Sequence, residues 1–164
     1  MEITDLSFIY DRTQADVDRV KELNTKYLDG TITADERREW NIGINGSHGL
    51  KGAFNLADIK RIEGNAQIIG ALVAVTVNIK EWGYGDIPRV SDYARIRENV
   101  RKIQDALMVL SDTPEIPDQP FNTYQKWNDI ERILHDVYCI YVRYKNSYYY
   151  CSTEMYAGEG IGDL

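Results

Sequence analysis

The chain has 164 residues, 43% of them hydrophobic and 27% charged, with a formal net charge of −7 at pH 7. That length suits one ordinary domain with a core of its own, and the acidity, with no block of consecutive basic residues to offset it, argues against a phosphate-backbone partner such as nucleic acid. The greasiest stretch, residues 68–79, is twelve residues long and runs into Lys80 and Glu81, too short to span a membrane.

The opening "MEITDLSFIY" is acidic and lacks a basic stretch ahead of an apolar run. No secretory signal is therefore expected, and the chain is expected to be made and kept, or assembled, in a cytoplasm. The first helix is predicted to begin at Thr13. In "TQADVDRVKELNTKYLDG" Asp16 takes the third helical position, Val17, Val20, Leu23 and Tyr27 turn inward, and Gly30 is a stop signal. Thr33 and Glu36 have capping-box spacing for a second helix, "ADERREW", which offers Trp40 to the core.

Glycines at 43, 46, 49 and 52 then lead toward another helix start. A phosphate-binding loop needs Gly-Lys followed by Ser or Thr after a strand; here the text is Lys51-Gly-Ala-Phe after a helix, and a dinucleotide fingerprint fails for the same lack of a strand. The stretch reads as a tight crossing that lets backbone approach backbone, while an anion at the following helix N-terminus stays open.

The third helix is predicted from Asn55 as N-cap, with Asp58 at the positive end of the helix dipole and a stripe of Ile59, Ile62, Ala66, Ile69, Val73 and Thr76. Gly64, Gly70 and the branched "VAVTVNI" at 73–79 weaken its second half. After the separating "EWGYGDIPRV", the fourth helix has Ser91 as N-cap and a stripe of Tyr93, Ile96, Val100, Ile103, Leu107 and Leu110. "SDTPEIPDQP" is an extended polar loop. The fifth helix is capped by Thr123 and carries Trp127, Ile130, Leu134, Val137, Tyr141 and Tyr144, widened by Ile133 and Ile140, ending at Asn146 and Ser147.

These elements predict a mainly α protein: an antiparallel helical bundle of four to five helices over residues 1–146, followed by a short β-hairpin-like tail over 147–164. A submotif recurs as Ala15-Asp-Val-Asp-Arg-Val20, Ala57-Asp-Ile-Lys-Arg-Ile62 and Asn128-Asp-Ile-Glu-Arg-Ile133, at spacings of 42 and 71 residues. No fixed-period solenoid follows from that. Each copy sets two apolar residues three apart for packing, and an Asp and an Arg three apart that can pair on the exposed side.

The stripes leave little room for chemistry. They contain almost no inward polar group, and the chain has no Gly-x-Ser-x-Gly elbow, no His-Glu-x-x-His and no distinctive carboxylate pair. No catalytic residue and no cofactor is expected. The soft ligands are His48, His135, Cys139 and Cys151. His135 and Cys139 sit four apart on the fifth helix and, joined by the other two, would compose a tetrahedral zinc site, but neither a CxxC nor a paired-His spacing supports it. A Cys139–Cys151 disulfide is the alternative, disfavoured in a reducing cytoplasm.

Seven of the twelve tyrosines lie between 138 and 156. Tyrosine supplies broad, rigid, amphipathic contact area, so Tyr148, Tyr149, Tyr150 and Tyr156 are expected to form a partner or subunit interface; the alternative is that they fold the tail onto the bundle.

"YDRTQADVDRV", "GLKGAFNLADIKRIEGN", the "DIP" before the fourth helix, "NDIERIL" and "EMYAGE" occur in that order. Together the set resembles small structural proteins encoded in the tail regions of phages and prophages of Firmicutes, over nearly the whole chain. The resemblance implies a non-catalytic virion module, tail or baseplate associated, whose partners are other virion proteins or further copies of itself as a homo-oligomer. It implies no catalytic residue. The competing expectation is a phage-encoded acidic adaptor or inhibitor that blocks a basic surface of a host protein.

Overall fold

The computed structural model describes residues 6–45 and 50–151, with side chains for 6–41 and 50–147. It is mainly helical, with α1 (Gln14–Leu28), α2 (Ala34–Asn45), α3 (Leu56–Leu72), α4 (Val90–Ala106) and α5 (Tyr124–Cys151), and no strand among the described residues.

The helix starts follow local chemistry. Thr13 accepts from the Asp16 amide while the Asp16 carboxylate accepts from the Thr13 amide, a reciprocal pair that satisfies two orphan donors at the start of α1. Thr33 and Glu36 repeat it for α2, and Asn55 and Asp58 for α3. Thr123 stands one residue before α5, and its hydroxyl accepts from the Lys126 amide at 3.4 Å. At α4 the expected cap, Ser91, is already inside the helix. The start moves to Arg89, whose amide donates to the Asp92 carboxylate at 2.9 Å, because Asp92 is the acid at the third position.

α1 and α2 pack on each other as an antiparallel pair. Gly30 takes φ +70 just past α1, a conformation that turns the chain at no steric cost. Leu23 is fully buried and Ile32 nearly so. Tyr27 and Trp40, expected inward, stack on each other with ring centroids 6.0 Å apart at the rim, Tyr27 being half exposed. Charges stitch the pair: Arg19 to Glu39 at 2.7 Å, and Lys26 to Glu36 and Glu22. Its hydrogen bonds with Lys26, then with Thr33, pull the Glu36 pKa from the ordinary 4.5 down to about 2. A folded-state pKa below the unfolded value contributes stability above the unfolded value and loses it as pH falls through the folded one. We therefore expect α1 and α2 to loosen between pH 4.5 and about 2, seen as faster amide exchange in these helices, with Glu36→Gln removing much of that acid sensitivity.

The main core is made by α3, α4 and α5, each in contact with the other two. Ile59, Ile62, Ala66 and Ile69 meet Ile96, Val100 and Ile103 and the α5 residues Ile130, Ile133, Leu134 and Val137. These three helices do not alternate in direction. Phe54, just before α3, stacks on Trp127 in the first turn of α5 with centroids 3.9 Å apart, and Tyr93 at the start of α4 lies 6.3 Å from the same ring. Their N-termini share one end, so the antiparallel arrangement holds for α1 and α2 and is replaced by a parallel one in the core. The reason lies in the connections: segments 73–89 and 107–123 contain no helix and run back along the core as straps. They bury Trp82 and Phe121 and pack Val77, Val109 and Ile116 against it.

Three helix ends differ from the periodic pattern. α3 stops at Leu72, Ala74 adopts φ 58, and Thr76 lies in the strap, because the branched 73–79 run favours extended backbone. α4 stops at Ala106 with Leu107 extended, which leaves Leu110 exposed on the strap. α5 continues through Asn146 and Ser147 to Cys151, so residues 147–151 are helical where a strand was expected; tyrosine in an apolar-periodic helix costs little propensity. Residues 152–164, with the rest of the expected hairpin, lie outside the described residues.

The parallel core reveals a fourth copy of the submotif, Ser91-Asp-Tyr-Ala-Arg-Ile96. With it the core copies stand at Asp58, Asp92 and Asp129, 34 and 37 residues apart, so the unit is one strap plus one helix. Seven residues after each Asp comes a buried polar residue that holds a strap. Asn65 donates to the Ser7 carbonyl, Asn99 bonds both backbone groups of Asn78, and Asp136 accepts from Thr113 at 2.8 Å. The α1 and α2 pair is an insertion between the first strap, residues 6–12, and its helix α3.

Candidate functional site

Two polar seams cross the core. In the first, Arg12 arrives from the N-terminal strap with its side chain 2% exposed and donates through Nη2 to Asp58 and through Nη1 to Glu131, each at 3.0 Å. Arg61 spans the same two carboxylates at 2.9 and 2.8 Å. Glu131, fully buried, also accepts from the Ile9 amide at 2.8 Å, and Asn128 bonds the Arg12 backbone in both directions. Burial works against the Arg61 charge, but Glu131 and Asp58 outweigh it and raise its pKa. Two guanidiniums and two carboxylates make a neutral set, the condition under which buried charges are tolerated.

The second seam joins α3, α4 and the strap at 73–89. Arg95 reaches Glu63 at 2.7 Å and Asp92 at 3.2 Å, Glu63 accepts from the Lys80 amide, and the Lys80 ammonium sits 4.0 Å over the Trp82 ring. The Arg89 amide, ahead of smaller contributions from Arg95 and Lys80, holds the Asp92 carboxyl below the usual range.

At α3 the first seam overturns the expectation that Asp and Arg three apart pair on the exposed side, while Arg19 and Arg132 pair with other acids, among them Glu39 and Asp112. Asp58 with Arg61 and Asp92 with Arg95 do pair, but facing inward. Glu131 is engaged on both oxygens, accepting from Arg12, Arg61 and the Ile9 amide. A carboxylate so engaged is a strut, with no lone pair left for proton transfer.

One row of groups has the residue types of a nucleophilic site. Cys139 Sγ lies 3.5 Å from His135 Nε2, and His135 Nδ1 lies 3.3 Å from Asp136 Oδ1. Burial, followed by the Asp136 charge, pushes the Cys139 pKa up, the opposite of the depression that activates a thiol. The imidazole is covered by Phe8 and Tyr10, at 5.3 and 5.0 Å. Cys139 is therefore expected to react with iodoacetamide more slowly than free cysteine at neutral pH, its rate still climbing above pH 9; a thiolate-like rate at pH 6, read by mass spectrometry, would contradict this.

Of the four soft ligands only His135 and Cys139 have described side chains. They are adjacent, and among the described residues no third His, Cys, Asp or Glu joins them in a metal-holding group. The predicted interface residues Tyr148, Tyr149 and Tyr150 lie on the last turns of α5, and Tyr156 falls outside the described residues. The glycine stretch is tight at Gly52, where a Cβ would overlap the Asp16 carbonyl, so α1 backbone rests directly on the chain there. Gly43, at its other end, is inside α2.

Among the described residues, three surface features stand out. A cleft of about 240 Å³ lies where the core helices begin, between Arg12, Phe54, Tyr93, Phe121, Tyr124 and Trp127. A groove of about 340 Å³ lies beyond the end of α4, formed by Met108, Val109, Leu110, Ile140 and Tyr144 with Arg143 and Ser147. The third feature is an overhang. Leu72 and Ala106, the last residues of α3 and α4, both stand fourteen residues past their motif Asp. The same count from Asp129 reaches Arg143, and residues 143–147 are all exposed. The remaining eight residues of α5 thus outrun the other helices by about 12 Å.

Among the described residues no helix is long and apolar enough to cross a membrane. Comparison with protein-family models, curated proteins and solved structures finds no match to this chain.

Proposed function

We propose that this chain is a non-catalytic structural and interaction module of a bacteriophage particle, tail or baseplate associated, and that the end of the core bearing the α5 overhang is its contact surface. The observation that carries the reading is the overhang itself, a helix continuing past its neighbours beside an apolar groove whose Met108 is 84% exposed. Uncovered apolar surface of this kind is typical of interaction sites. Tyr148, Tyr149 and Tyr150 fall on this stub, where their amphipathic rings suit an interface. The fully engaged Glu131 carboxylate and the raised Cys139 pKa are in keeping with a non-catalytic role. The tail-region resemblance supplies the setting.

Mass spectrometry of particles purified from the encoding strain, quantified against major virion proteins, tests this. The chain is expected at a fixed stoichiometry in particles. Its absence from them, together with one-to-one capture of a host protein by the isolated monomer, favours the adaptor reading and overturns this one.

A further inference from the structure

Two apolar features lie at opposite ends of the parallel core. At the end where α4 begins, the 83–90 loop presents Tyr84, Ile87 and Val90 at 102, 79 and 77% exposure. The loop is built to present them. The Gly83 amide donates to the Asp86 carboxylate at 2.8 Å, the Asp86 amide donates back to the Gly83 carbonyl at 3.2 Å, and Gly85 takes φ +90 to close the turn. Three large apolar side chains within seven residues, held out by a hydrogen-bonded turn, make a knob without a described neighbour. At the other end, one length of α4 away or about 25 Å, lies the groove of Met108, Leu110, Ile140 and Tyr144.

Charge is complementary between them. The knob is flanked by Glu81 and Asp86 against Arg89, with Lys80 turned to Asp92; the groove carries Arg143 on its wall and Lys145 beyond, and the acids flanking its other wall, Asp105 and Asp112, are paired with Arg101 and Arg132. In a chain of net charge −7, this is a surface on which a second copy's acidic loop meets attraction rather than repulsion.

We propose that the chain associates head to tail with itself, the 83–90 knob of one copy seating in the Met108–Tyr144 groove of the next. Knob and groove are different surfaces, so the contact is heterologous, and each added copy leaves one knob and one groove free. Such contacts generate rings or open filaments rather than closed dimers. A contact this small is weak for a single pair and accumulates strength only along an assembly.

Sedimentation velocity of the full chain over rising concentration is expected to show a mass that grows past the dimer. The knob variant Tyr84→Ser with Ile87→Ser and the groove variant Met108→Ser with Tyr144→Ser are each expected to stay monomeric, with unchanged circular dichroism because all four side chains are substantially exposed. Mixed in equal amounts they are expected to form dimers and nothing larger, since each retains one intact end. Glu81→Arg, at an exposed acid beside the knob that the turn does not use, should weaken assembly and Arg143→Asp in the same chain restore it. A concentration-independent wild-type monomer, growth that stops at a dimer, or a mixture that fails to pair would each overturn the proposal; the first is also the outcome if the groove is covered by the chain's own tail or by another protein. Presence in particles without self-association removes this inference and leaves the function proposed above standing, and self-association with absence from particles does the reverse.

Discussion

Glu131→Ala is expected to destabilise the protein by about 3–5 kcal/mol, the range for breaking a buried ion pair by removing one partner. The size follows from what is left behind. Arg12, with its side chain 2% exposed, and Arg61, 12% exposed, would keep only Asp58 between them, and the Ile9 amide would lose its acceptor. The interior would then hold one uncompensated positive charge that cannot deprotonate. Urea denaturation monitored by circular dichroism reads the loss as a lower midpoint. Replacing the set as a whole, with Arg12→Met, Arg61→Met, Asp58→Asn and Glu131→Leu, should recover much of it, because apolar replacement of a complete buried ion cluster is often neutral or stabilising. A loss below about 1 kcal/mol for Glu131→Ala, the scale of an exposed pair, would mean that water reaches the seam.

Gly52→Ala carries the second large effect, and its mechanism is steric. A methyl group at this position would meet the carbonyl carbon and oxygen of Asp16 and the amide of Val17, all backbone atoms that no rotamer change can move. The first turn of α1 must shift away, which disturbs the Lys51 contacts to Asp11 and Asp16 as well. Overpacking of this kind costs about 1–3 kcal/mol, and the upper end is expected because both sides of the contact are main chain. The damage should be local: faster amide exchange in α1 and α2, with α3, α4 and α5 retaining most of their protection. Gly64→Ala is the internal control. It has open space around it inside a helix and should be neutral or mildly stabilising.

Legibility in the sequence divides by distance along the chain. The caps at Thr13, Thr33, Asn55 and Thr123 were readable because each is a bond between residues two or three apart, and the core stripes because helix period is local. The sense of the core helices was not. It depends on the segments 73–89 and 107–123, whose Trp82 and Phe121 read as loop residues yet are buried. Arg12 offered no local sign of its role, since its partners lie 46 and 119 residues away. Asp and Arg three apart fit an exposed pair and a buried strut equally well, and only a neighbouring helix decides between them. A local signal for the repeat does exist, in Ser91-Asp-Tyr-Ala-Arg-Ile96. Including it divides the spacing of 71 into steps of 34 and 37, the mark of a strap-and-helix unit, while the copy 42 residues earlier belongs to the inserted α1. Of the interface tyrosines, the sequence placed three on a strand where α5 carries them on helix, because Asn146 and Ser147 look like a stop signal and the helix passes through them.

The Ile9 to Glu131 bond joins positions 122 residues apart, which sets the order of events during synthesis. A ribosome releases the first strap and all of α1 to α4 before α5 emerges. Until then Arg12 has no Glu131, and the α3 and α4 faces have no third helix. Contacts of such long sequence separation form late and slow the folding rate, so the nascent chain holds its greasy surfaces open until α5 has emerged. Shortening α5 from its C-terminal end should therefore matter little to folding as far back as Arg143, and abruptly once Ile140 and Val137 are lost.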